Sequence, residues 1–154
     1  MTTEPRFELR DHTADIGVWA SADDLAGLFA AVADGLAAAS CETPERSGGE
    51  RFSLAVTAES LEALLFEYLD ELIYLRDVRL ELPVENEIVE LVAPGCEETE
   101  GAGEHTDEEF RLEATARGLP LDAIDAREIK AVTYSEMRIE RVEDGWEGYV
   151  VFDV

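Results

Sequence analysis

The chain has 154 residues, a length that fits one domain with a core needing no disulfide or metal staple. It carries 37 Asp and Glu against 12 Lys and Arg, a formal net charge of -25. A polyanion of this kind lacks the clustered cations on which phosphate binding rests, which argues against direct high-affinity binding of RNA or DNA.

The acidity belongs to a folded surface, because apolar residues recur with a periodicity that acidic disordered segments lack. Such a surface repels itself in dilute buffer, whereas at ~1 M salt the Debye length falls to roughly 3 Å and the repulsion is screened. Adaptation to a high-salt cytoplasm is therefore expected. Eleven of the twelve basic residues are Arg, and Lys130 is the single lysine. The N-terminus has no basic or apolar signal region, and no run approaches the ~20 apolar residues that span a bilayer, so a cytoplasmic protein is expected. Cys41 and Cys96 match no metal or redox spacing and read as two reduced thiols.

"RFELR" (residues 6–10) alternates as a strand, "DHTAD" (11–15) is a polar turn, and "IGVWA" (16–20) is a second strand. Ser21 and Asp24 resemble a capping box ahead of a helix marked by Leu25, Leu28, Phe29, Val32 and Leu36. A loop through Pro44 and Gly48-Gly49 leads to the strand "RFSLAVT". The next helix is the clearest element, with Leu61, Leu64, Leu65, Tyr68, Leu69, Leu72 and Ile73 on one stripe, a pattern of core burial. "RLELPVENEIVELVA" reads as strand segments interrupted by Pro83. Residues 97–109 hold seven acids and two glycines with no Lys or Arg, a solvated acidic insertion that does not meet the twelve-residue calcium-loop pattern. "FRLEATARG", "EIKAVTYSEMRIERV" and "WEGYVVFDV" are strands, the last two joined by an "EDG" hairpin turn. The order implies a single α+β domain, residues 1–154, with two helices packed on one face of a mostly antiparallel sheet.

Three places hold residues suited to chemistry. "DHTAD" gathers Asp11, His12, Thr13 and Asp15 in a turn, where a polar turn with Asp11 capping backbone N–H groups is the plain alternative. Asp153 stands beside Val154, which carries the terminal carboxylate; two adjacent carboxyl groups are hard oxygen ligands for Ca²⁺, Mg²⁺ or Mn²⁺. Alternation puts Tyr149, Val151 and Asp153 on one face of the last strand and Trp146, Val150 and Phe152 on the other. Lys130 is either retained for a compact point charge that Arg cannot supply, or is a structural or chance survivor.

"DHTADIGV", "LEALLFEYLDELIYL", "EIKAVTYSEM" and the terminal "FDV" resemble the archease family, in the same order and over nearly the whole chain. The acidic insertion departs from the family pattern, and Ser135 stands where many relatives have His. The resemblance implies a protein that is not itself an enzyme but activates an RtcB-type RNA ligase in tRNA splicing, promoting the ligase's metal-dependent guanylylation and repeated turnover. Carried over residue by residue, it implies divalent-cation binding at Asp15, Asp153 and Val154 and a role in ligase activation for Lys130. Asp11 and His12 are assigned to shaping the turn.

If Asp144-Gly145 forms the hairpin turn, Asp153 faces Glu136 and Lys130 lies about six residues, roughly 20 Å, beyond it. On that register Lys130 contacts the ligase or its nucleotide, apart from the cation site. Two other functions compete: a stand-alone metal-dependent phosphoesterase, for which no positioned base is evident, and a chaperone-like interaction module, which needs an exposed apolar patch that the sequence does not show.

Overall fold

The computed structural model describes residues 5–11, 15–41, 48–93 and 109–154. His12 and Thr13, Cys96 and the acidic stretch up to Glu108 lie outside the described residues. The elements run β1 (Arg6–Asp11), β2 (Asp15–Ala22), α1 (Leu25–Ser40), β3 (Arg51–Ala58), α2 (Leu61–Arg79), β4 (Glu81–Val92), β5 (Phe110–Pro120), β6 (Ala131–Val142) and β7 (Gly145–Asp153), with a short 3-10 turn at Leu121–Ala123. Two helices and antiparallel strands make the expected α+β fold. The strands divide between two sheets, of order β1-β2-β7-β6 and β3-β5-β4, and each helix packs on strands of both.

That placement explains the two helices' different burial. Helix α1 is buried nearly all round, at Leu28, Phe29, Ala31, Val32, Ala33, Leu36 and Ala37, as a helix with β-structure on several sides must be. Its N-cap is Asp24, whose carboxylate accepts from the Gly27 N–H at 2.8 Å. Ser21, expected in the cap, belongs to β2, because that strand continues to Ala22. Helix α2 buries one stripe, Leu64, Leu65, Tyr68, Leu69, Leu72 and Ile73, and starts at Ser60, whose hydroxyl accepts from Ala63 N–H.

Ile16, Val18, Ala20 and Ala22 of β2 and Val150 and Phe152 of β7 point into the main core with both helices and Leu112 and Ala114 of β5. Each large side chain buried there contributes roughly 1.5–3 kcal/mol. Pro83 does not interrupt β4. It lies on an edge strand, where a missing N–H can face away from the partner strand. Among the described residues no helix is long and apolar enough to cross a membrane.

Candidate functional site

The buried alternation of β2 and β7 fixes their mutual register. Placing Ile16 and Val18 opposite Phe152 and Val150 in the core leaves Asp15, the first residue of β2, directly opposite Asp153, the last of β7. Directly opposed residues have Cα atoms about 4.5–5.5 Å apart and side chains on one face, so the two carboxyl groups are neighbours. Asp15 is half-buried and Asp153 exposed.

On the other side of β7, Asp153 faces Ala131, and the Lys130 N–H donates to the Asp153 carbonyl at 2.9 Å. The 20 Å separation of Lys130 from Asp153 is thus overturned, for two reasons. The hairpin closes with Val142 opposite Gly145, so Glu143 and Asp144 form the turn in place of Asp144-Gly145. An uninterrupted ladder from there would bring Asp153 opposite Tyr134. Instead β6 bulges: Thr133 pairs with Val151 and Arg138 with Tyr149, leaving residues 134–137 opposite Val150 alone. Glu136 takes a left-handed φ of 62° there, and the Thr133 hydroxyl steadies the entry, donating to the Val151 carbonyl and accepting from Ser135 N–H. The bulge draws Lys130 up to the end of β7.

Two supporting residues escape the sequence reading. Arg76 of α2 is buried; its Nη1 donates to the Ile129 carbonyl at 2.9 Å while Nε and Nη2 hold Asp77. It ties down the fully buried Ile129, the residue before Lys130. A charged residue at the end of an apolar stripe reads as solvent-facing, so no sequence signal marked it. Gly17, inside "DHTADIGV", lies beneath Tyr149 of β7, and a Cβ there would run into the Tyr149 hydroxyl. The face carrying Asp15 and Asp153 therefore has a close-packed row immediately beneath its acidic end.

Opposed carboxylates repel one another, and hard oxygen donors in that arrangement suit a divalent cation that would relieve the repulsion. Val154, next along the chain, is exposed. Among the described residues no group of three or more His, Cys, Asp and Glu is poised around one point. Burial raises the pKa of Asp34 on α1 against the lowering by its bonds from Asn86, and the Arg117 hydrogen bond and charge lower that of Glu85.

The family model of the Archease protein family (MTH1598/TM1083) matches residues 7–154. The chain belongs to the archease family. It is 36% identical over 153 residues to protein archease of Thermococcus gammatolerans, covering 97% of this chain and 99% of that one. Protein archease of Methanosarcina acetivorans is 32% identical over 154 residues, with 97% and 96% covered. The solution structure of Methanobacterium thermoautotrophicum protein 1598 shares the fold at TM-score 0.72 and 28% identity, covering 96% of this chain and 98% of that one. An archease of Thermotoga maritima, described as a possible chaperone, shares the fold at TM-score 0.54 and 20% identity, covering 96% of each chain.

Proposed function

We propose that this chain activates an RtcB-type RNA ligase of tRNA splicing, promoting the ligase's metal-dependent guanylylation and its repeated turnover. The observation that carries the reading is the meeting of Asp15, Asp153 and Lys130 at one end of the β1-β2-β7-β6 sheet. Two acids and the backbone of the single lysine of the chain, drawn from three separate segments, adjoin at that end.

Asp15 and Asp153, with the Val154 carboxylate beside them, would hold calcium, manganese or magnesium. Bound there, such an ion supplies charge neutralisation to a transferring phosphoryl group, which needs positioning and electrostatic support above all else. Asp15, set by its strand and half-buried, would orient the ion, and exposed Asp153 is open to a partner. Lys130, exposed beside them, offers a compact positive charge to a phosphate or to a ligase carboxylate. Its closeness to Asp153 supports one composite tip in place of two separated contacts.

The test is ligation of broken tRNA halves by the cognate ligase, in high salt, with and without this protein. Stimulation by the wild type, lost in folded Lys130→Ala and Asp153→Ala, is the expected result. A ligase indifferent to the wild-type protein would sink the function, and variants that stimulate fully would sink the residue roles. Cleavage of RNA by the protein with Mn²⁺ and no ligase would favour the phosphoesterase instead.

A further inference from the structure

The bulge in β6 has a second product besides moving Lys130. It lifts Tyr134 out of the sheet, 54% exposed, and lays its ring flat on Phe66 of α2, with centroids 4.2 Å apart and planes 5° from parallel. Tyr74, two turns further along α2, is 58% exposed, and Asp70 stands in solvent between Phe66 and Tyr74 at helical spacing. Glu136, the residue with left-handed φ, is exposed two positions beyond Tyr134 in the same bulge. This is the apolar surface absent from the sequence pattern, where Phe66 adjoined the buried stripe and Tyr134 read as an ordinary strand position.

Tyr134 stands more than half exposed on a half-buried Phe66 that packs against the core, and it is raised by four residues facing one and by a non-glycine residue in a sparsely populated backbone region. Exposed, pre-ordered aromatics inside a charged rim are the usual anatomy of an anchor at a protein interface. Tyr134 is four residues from Lys130, ~13 Å along an extended chain, so one face of standard size covers both.

We infer that the Tyr134–Phe66 stack is the docking anchor by which this chain holds its ligase, seated in an apolar recess within the cationic rim of the ligase's RNA-binding mouth. The occupant follows from charge complementarity. A protein that joins RNA ends lines that mouth with Arg and Lys to meet phosphates, and the rim of the stack here is acidic, at Asp70 and Glu136. Docking there sets Asp153 and Lys130 at the edge of the same mouth. The inference rests on the activator reading and gives it a surface.

The test separates holding from activating. Stimulation of the cognate ligase is measured against concentration of this protein for wild type, Tyr134→Ser, Asp70→Arg and Lys130→Ala, with thermal unfolding of each. Tyr134→Ser is expected to raise the half-maximal concentration about tenfold or more while reaching the wild-type maximum at saturation. Asp70→Arg, at an exposed position, raises it too, and by less as salt is added. Lys130→Ala lowers the maximum. If wild type stimulates and both Tyr134→Ser and Asp70→Arg reach half-maximum within twofold of it, the stack only guards the sheet edge and the anchor is refuted while the activator reading stands. If wild type does not stimulate, the activator reading falls and the anchor falls with it.

Discussion

Replacing Arg76 by Met tests whether the tip is held from inside. The side chain is 8% exposed and shares a cleft with Leu36, Leu72, Ile73 and Leu82. Methionine keeps most of the aliphatic contact but removes the donor to the Ile129 carbonyl, and a buried carbonyl stripped of its partner costs about 1–3 kcal/mol. The Arg76–Asp77 ion pair adds under ~1 kcal/mol, since Asp77 is 63% exposed. Relief from burying a charge works the other way. A net loss of about 2 kcal/mol lowers the unfolding midpoint by roughly 4–8 °C in a chain of this size. The single lysine supplies a local readout, because ¹⁵N-lysine labelling yields one amide resonance, that of Lys130. Its N–H donates to Asp153, and its exchange with solvent reports opening of that joint. Exchange faster by about tenfold per 1.4 kcal/mol of lost local stability is expected. A midpoint within ~1 °C of wild type, with Lys130 exchange unchanged, would refute the claim that Arg76 positions the segment.

Three further outcomes follow from the geometry. Gly17→Val drives a side chain into the Tyr149 ring and should cost about 1–3 kcal/mol, with Tyr149→Ala restoring part of it; equal, additive losses in denaturant titrations would count against the overlap. Asp153→Asn removes one of two opposed charges, so in chelator-treated buffer it should stabilise by about 0.2–1 kcal/mol, and added Mn²⁺ or Ca²⁺ should raise the unfolding midpoint of wild type but not of the variant. Asp34 has a raised folded pKa, caused first by burial, so the folded chain binds the extra proton and stability falls as pH rises from the unfolded value of 3.8 through the folded one. Asp34→Asn retains an acceptor for the Asn86 N–H groups, so it should be the more stable protein at neutral pH and converge with wild type at acid pH, read as midpoints across pH.

Most of the element order was legible in the sequence because each element's own period carried it. The α2 stripe and the alternation of "WEGYVVFDV" need only local geometry, and both point as the sequence implied, with Val150 and Phe152 inward and Asp153 outward. Boundaries were less legible. Ser21 and Asp24 both suit a helix start, and pairing of β2 with β7 as far as Ala22 claimed the first for the strand.

The sequence by itself singled out the candidate side chains: a lone lysine, an aspartate opening one strand and another ending the last. It could not determine that they meet. That depends on a turn placed one residue earlier than the Asp144-Gly145 signal suggests and on a bulge at residues 134–137, which contain no glycine or proline to announce it. Turn and bulge are chosen by the energy of the whole sheet, through the inward packing of Val132 and Phe152, the Thr133 bonds and the stacking of Tyr134 on Phe66. Those partners are distant in sequence, so register, and with it the site, is a property of the tertiary structure alone.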